Sequence, residues 1–213
     1  MTGRCVIIGA GEVYGDIEIR EGDFVVAADG GYAYLEKLSV IPNVLVGDFD
    51  SIGSLPDALG VKIVRHPVEK DETDMYLAYK LGVENGCDEF YIYGGVGGRD
   101  DHTFANYCLL LDAINDKKRI YLIGNGRKIF AIKNERFEFE ARAGATVSVF
   151  AIGSDAHGVT LRGLKYGAEN ITLTQAFPLG VSNSVKDDAT RVEISVSCGT
   201  LLVMAEEVLA LRE

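Results

Sequence analysis

Four times in the first hundred residues, a stretch with strand character ends abruptly in glycine and aspartate. Phe24 to Ala28 runs into Asp29-Gly30-Gly31, and Val44-Leu45-Val46 into Gly47-Asp48-Phe49-Asp50-Ser51. Lys62 to His66 precedes Lys70-Asp71-Glu72-Thr73-Asp74, and Glu89 to Tyr93 leads straight into the segment from Gly94 to His102. Short apolar runs of this kind read as strands buried on both faces of a parallel sheet, and Gly and Asp mark where the chain turns. In an open α/β sheet the carboxyl ends of the strands share one edge, where ligands bind. The pattern therefore predicts that four segments far apart in sequence converge on one site.

The stretches between fit that architecture. A first strand is expected over Cys5 to Gly11 and a sixth over Arg119 to Gly124. Helices are expected over Tyr32 to Leu38, over Thr73 to Glu84 with Leu77 and Leu81 on one face, and over Asp101 to Ile114 with Phe104, Cys108 and Leu111 as its apolar stripe. Alternating strands and helices predict an α/β domain, residues 1–133, with a mainly parallel sheet flanked by helices. From Glu135 the period changes to two, as in Arg136-Phe137-Glu138-Phe139-Glu140, Thr146 to Phe150, Ile171 to Thr174 and Arg191 to Ser197. Residues 134–213 are accordingly expected to form an all-β sandwich, with a short helix over Ala205 to Leu211.

The 213 residues carry a net charge of -11, and no clustered Lys and Arg exist to grip a phosphate backbone, so nucleic acid is not an expected partner. An acidic chain still binds a small anion locally, through a metal ion, glycine backbone and a well-placed Arg. Cys5, Cys87, Cys108 and Cys198 are scattered without a Cys-x-x-Cys pair, which predicts reduced, buried thiols rather than a disulfide framework or zinc site. Neither a leader segment nor an apolar run long enough to span a bilayer is legible, so the expectation is a cytoplasmic protein that does not enter membranes.

The chemistry concentrates in the clusters. Asp48 and Asp50 stand two apart, so an extended chain turns both carboxylates to one side, where a hard divalent cation would relieve their repulsion. A plain turn explains the same residues. Asp71 and Asp74 stand three apart at a helix start, where they suit a metal or substrate, helix capping, or both. Four glycines in Gly94-Gly95-Val96-Gly97-Gly98 leave backbone N–H groups open to an anion, and Arg99 adds a guanidinium for phosphate oxygens. Asp101 and His102 follow, the latter by itself more often a helix-start or packing residue. This is neither a Walker loop nor a dinucleotide fingerprint.

Taken in order, Asp-Gly-Gly, Gly-Asp-Phe-Asp-Ser, Lys-Asp-x-Thr-Asp and Gly-Gly-x-Gly-Gly-Arg-x-Asp-His resemble the thiamine pyrophosphokinase family. Gly163-Leu164-Lys165-Tyr166 and Pro178-Leu179-Gly180-Val181-Ser182-Asn183 extend the resemblance through the C-terminal part. It implies an enzyme that moves the terminal diphosphate of ATP to the hydroxyethyl group of thiamine, giving thiamine diphosphate and AMP with Mg²⁺. It also implies a homodimer whose β-domains complete the thiamine sites at the subunit interface. Carried over by position, Asp48, Asp50, Asp71 and Asp74 form the acidic cluster, the first three as metal ligands. Asp29, Gly30, Gly31, Gly94, Gly95, Gly97, Gly98, Arg99 and His102 hold the nucleotide, and Asp101 sits at the transfer centre. Ser182 and Asn183, with Asp74, meet thiamine. Two departures stand out: the chain has no tryptophan, which some relatives place near the thiamine rings, and His102 occupies a position where relatives vary.

Overall fold

A computed structural model describes residues 3–47, 61–65, 72–206 and 208–212. The chain divides into two compact units, residues 1–109 with 117–125, and residues 110–116 with 126–213.

The first unit holds β1 (Gly3–Ile8), β2 (Phe24–Ala28), a 3-10 turn (Asp29–Gly31), α1 (Tyr32–Lys37), β3 (Val44–Gly47), β4 (Lys62–Arg65), α2 (Asp74–Glu84), β5 (Cys87–Tyr93), most of α3 (Asp100–Asn115) and β6 (Arg119–Gly124). Its strands lie in the order β6-β5-β1-β2-β3-β4 and every pairing is parallel. The chain steps outward from β1 to β4, then returns to place β5 on the other side of β1. That reversal makes the gap beyond β1 and β5 a topological switch point, where such sheets bind ligands. The apolar strand residues explain the arrangement: Cys5 to Ile8, Val25 to Ala28, Val44 to Val46 and Phe90 to Tyr93 are almost wholly buried.

The helices bury other faces than their leucines suggest. In α2 the buried side is Met75, Ala78, Tyr79 and Gly82, while Leu77 and Leu81 are half-buried. Backbone approach decides this, because a Cβ on Gly82 would lie 2.5 Å from the Phe90 ring and 2.9 Å from Cys5 Sγ. Thr73 caps α2, its hydroxyl accepting from the Tyr76 N–H at 3.2 Å. In α3 the buried residues are Asn106, Leu109, Leu110 and Ala113, whereas Phe104 and Cys108 of the expected stripe are exposed.

The second unit continues with β7 (Arg127–Lys133), β8 (Arg136–Ala141), β9 (Thr146–Ala151), β10 (Ala156–Arg162), β11 (Ala168–Leu173), β12 (Asn183–Ser184), β13 (Arg191–Ser195), β14 (Thr200–Glu206) and β15 (Val208–Arg212). Here the strands run β12-β9-β14-β7 and β11-β10-β13-β8-β15, all antiparallel. Phe130 of β7 meets Phe137 and Phe139 of β8 at 5.0 and 6.0 Å between ring centres, which joins the two layers as a sandwich. Outward residues of β8, β10 and β13 pair opposite charges across strands, Arg136 and Arg162 flanking Glu193 at 2.8 and 3.1 Å. The helix expected over Ala205 to Leu211 is absent. Ala205 and Glu206 complete β14, which pairs with both β7 and β9, and Val208 to Leu211 lie in β15, paired to β8, so ladder bonding outweighs helix propensity. Among the cysteines, Cys5 and Cys87 are buried as expected, but Cys108 and Cys198 are exposed, and all four are free.

Candidate functional site

β1 and β5 are each followed at once by glycine, and the two ends are laced together. The Gly9 N–H donates to the Tyr93 carbonyl at 2.8 Å and the Gly11 N–H to the Gly94 carbonyl at 3.1 Å. The approach is so close that a Cβ on Gly11 would stand 2.4 Å from the Gly94 oxygen. Gly94 itself has φ +66°, and its own Cβ would meet the Gly9 oxygen at 2.6 Å. Only glycine satisfies both the left-handed backbone and the contact. Tyr34 of α1 pins the first loop from the side, its hydroxyl donating to the Gly11 carbonyl at 3.1 Å.

Over these loops opens a cavity of about 450 Å³, lined by Gly9, Ala10, Gly11, Ala28, Asp29, Glu72, Thr73, Asp74, Met75, Gly94, Gly95, Gly97, Gly98, Arg99, His102 and Asn106. It lies wholly in the first unit, at the switch point. Of the residues expected to act here, it brings together Asp29, Asp74, Gly94, Gly95, Gly97, Gly98, Arg99 and His102. Gly30 and Gly31 lie behind it, Gly31 packed so tightly that a Cβ would fall 2.0 Å from the Ile8 carbonyl oxygen. Their part is to let the turn after β2 fold under the end of β1, which carries Asp29 to the rim with φ +51°, a left-handed conformation that Asp tolerates better than most residues.

Arg99 and Asp101 form an exposed ion pair, Nη2 to Oδ2 at 2.7 Å and Nε to Oδ1 at 3.1 Å. The pair holds the Asp101 carboxyl below the usual carboxylate range, chiefly through the hydrogen bonds from Arg99, with the His102 N–H adding a further donor. Asp101 is not itself in the cavity lining and meets it through Arg99. Asp48, Asp50 and Asp71 lie outside the described residues. Ser182 and Asn183 are in the second unit. There the Asn183 amide is bonded at both of its ends: Oδ1 accepts from the N–H groups of Tyr166 and Ser184 at 3.0 and 2.9 Å, and Nδ2 donates to the Tyr166 carbonyl at 2.8 Å. Ser182 is exposed with φ +55°, and its N–H donates to Ser148 Oγ at 3.0 Å.

Sequence reasoning passed over Gly9, Ala10 and Gly11, although the run CVIIGAG ends in glycine just as the four clusters do. It also passed over Thr73 and Asn106; a lone Asn within the apolar half of α3 was the available signal.

Chemically, the cavity offers backbone N–H groups, one guanidinium and the carboxylates of Asp29, Glu72 and Asp74. Among the described residues no three His, Cys, Asp or Glu side chains gather closely enough to cage a metal ion. The hard oxygen donors present nonetheless fit Mg²⁺, which takes one or two carboxylates and completes its shell with water and phosphate oxygens.

Such a fold and site define a two-domain α/β-plus-β protein whose parallel sheet presents a glycine-walled, phosphate-compatible cavity at its switch point. Residues 17–122 match the family model for the thiamin pyrophosphokinase catalytic domain, and residues 134–201 that for the thiamin pyrophosphokinase vitamin B1 binding domain, so the chain belongs to the thiamine pyrophosphokinase family. The thiamine pyrophosphokinase of Bacillus subtilis is 29% identical over 165 residues, covering 75% of this chain and 77% of the relative. Thiamin pyrophosphokinase 1 of Caenorhabditis elegans is 25% identical over 178 residues, covering 78% and 73%. The crystal structure of the Bacillus subtilis thiamine pyrophosphokinase superposes with a TM-score of 0.87 at 26% identity, covering 96% of this chain and 99% of the other. That of the Geobacillus thermodenitrificans thiamin pyrophosphokinase gives 0.83 at 25%, covering 96% and 97%. Family membership makes the chain a kinase-type transferase.

Proposed function

We propose that this chain transfers the terminal diphosphate of ATP to the hydroxyl of thiamine, giving thiamine diphosphate and AMP. The observation that carries the reading is the glycine-walled cavity at the switch point, inside the segment that matches the family's catalytic domain. Its backbone N–H groups and Arg99 hold the phosphate oxygens, an arrangement in which positioning and charge neutralisation do most of the catalytic work. Arg99 keeps its present partner, Asp101, only at the surface, so a phosphate group replaces that carboxylate without breaking a buried contact.

The thiamine hydroxyl oxygen bonds to the β-phosphorus of ATP, and the bond from that phosphorus to the oxygen bridging the α-phosphate breaks, releasing AMP. Asp71 or Asp74 orients the hydroxyl and accepts its proton late in the step. Asp48, Asp50 and Asp71 would hold Mg²⁺, which when bound supplies positive charge against the phosphate oxygens. The second unit, matched by the family's vitamin B1 binding domain, offers the thiamine surface through the segment ending in Ser182 and Asn183. Tyr166, Phe177, Leu179 and Val181 leave that unit with exposed apolar side chains, which supports a homodimer with thiamine at the subunit interface. Free, exposed Cys108 and Cys198 fit the reducing cytoplasm, and no helix among the described residues is long and apolar enough to cross a membrane.

The test is a mass-resolved assay with ATP, Mg²⁺ and thiamine, with thiamine omitted or EDTA added as controls. The reading expects AMP and thiamine diphosphate in equal amounts, lost in both controls. ADP or phosphate without thiamine diphosphate would sink it.

A further inference from the structure

Asn106, Asn183 and Thr200 are buried polar residues, and of these Asn106 alone lines the glycine cavity. It shares the buried stripe of α3 with Leu109, Leu110 and Ala113, a position where an amide is costly unless bonded. Its Nδ2 donates to the Gly95 carbonyl at 2.6 Å, across eleven residues of chain. The other surroundings of Gly95 are apolar: a Cβ there would lie 3.0 Å from Ile92 and 3.6 Å from Leu122 side-chain carbons. Gly94 is held by its lacing to Gly9 and Gly11, but Gly97 and Gly98, with φ of +85° and +73°, bring no side chain to fix the rest of the loop.

We infer that Asn106 is a positioning residue for nucleotide binding: by holding the Gly95 carbonyl it preforms the Gly94–Gly98 loop, so that an incoming phosphate meets fixed N–H groups. The inference rests on the proposed use of this cavity for ATP. It acts through Gly95 and needs no contact with substrate, so its signature is a change in nucleotide affinity with thiamine unaffected.

The test compares wild type with Asn106→Leu, which keeps the branching at Cγ and completes the apolar stripe, and with Asn106→Asp, which keeps shape but removes the N–H donors. Three quantities are read: melting temperature, amide exchange of residues 95–98 in the free protein, and Mg·ATP affinity by calorimetry beside the KM for each substrate. The expected result is exchange accelerated about tenfold at residues 95–98, Mg·ATP binding and nucleotide KM weakened about tenfold, and thiamine KM changed less than about twofold, the effect of leaving one buried acceptor unpaired. Unchanged exchange or unchanged ATP affinity in a folded variant would overturn the inference. So would wild type that fails to bind Mg·ATP at all. If wild type binds Mg·ATP yet makes no thiamine diphosphate, the transfer reading fails while the Asn106 inference is still decided by binding and exchange.

Discussion

Two loops of this molecule are each fastened by a buried asparagine, and they present opposite surfaces. In the first unit, Asn106 reaches from α3 to a loop made almost wholly of glycine, whose walls are bare backbone. In the second, Asn183 opens β12 at the end of the loop and bonds to both the N–H and the carbonyl of Tyr166, while Phe177, Leu179 and Val181 stand exposed. Gly180 lets that second loop lie on β9, its carbonyl accepting from the Val149 N–H at 3.0 Å, where a Cβ would fall 2.1 Å from the Val149 oxygen. One surface displays peptide dipoles and suits an anion; the other displays apolar side chains and suits a ring system. The division of labour proposed above, diphosphate donor in the first unit and thiamine on the second, follows from that contrast.

The largest expected effect comes from removing the carboxylates proposed to hold Mg²⁺. Asp48→Asn and Asp71→Asn are expected to lower turnover by about 100-fold or more with melting unchanged, as for loss of a charge-stabilising group. Wild-type rates in both would refute the metal assignment. Next comes Gly94→Ala, expected to cost about 3 kcal/mol in denaturant unfolding, from left-handed strain together with overpacking against Gly9. A neutral result would mean that the lacing of β1 to β5 is not rigid. Asn183→Ala is expected to cost about 2 kcal/mol, because the Tyr166 and Ser184 backbone groups lose their partner, and to weaken thiamine binding while Mg·ATP affinity stays the same. Equal losses for both substrates would erase the contrast between the loops.

The smallest effect concerns Asp101. Its folded carboxyl titrates below the usual range because of Arg99, so the pair contributes above the unfolded carboxylate pKa and is lost as pH falls through the folded value. Because both groups are exposed, stability hardly registers this, but the titration does. In Arg99→Gln, carbon-detected NMR should show the Asp101 midpoint moving up toward its ordinary value, and addition of Mg·ATP to wild type should move it in the same direction as Arg99 turns to phosphate.

Much of this was legible in the sequence because it depends on local pattern. Apolar runs stopping at Gly and Asp marked the strand ends, and period-two alternation in Arg136 to Glu140 marked the sandwich. What was not legible depended on tertiary contact. The switch point that puts β5 beside β1 is a matter of strand order, so the pairing of Gly9 and Gly11 with Gly94 had no local sign. The leucines of α2 misled because Gly82, the smallest residue, sits where Phe90 and Cys5 press closest. Phe104 and Cys108 misled because the deep stripe of α3 runs through Asn106, whose polarity hides its position. Ala205 to Leu211 has helical composition, but three neighbouring strands claim it.

The central claim is that the glycine loops of the first unit receive the nucleotide. Amide hydrogen exchange with saturating Mg·ATP tests it most directly, residue by residue. The account predicts protection at Gly9 to Gly11 and Gly94 to Gly98 with residues 178–184 unchanged, and protection of 178–184 when thiamine is added. Protection of 178–184 by Mg·ATP, with the two glycine loops exchanging as in the free protein, would contradict it.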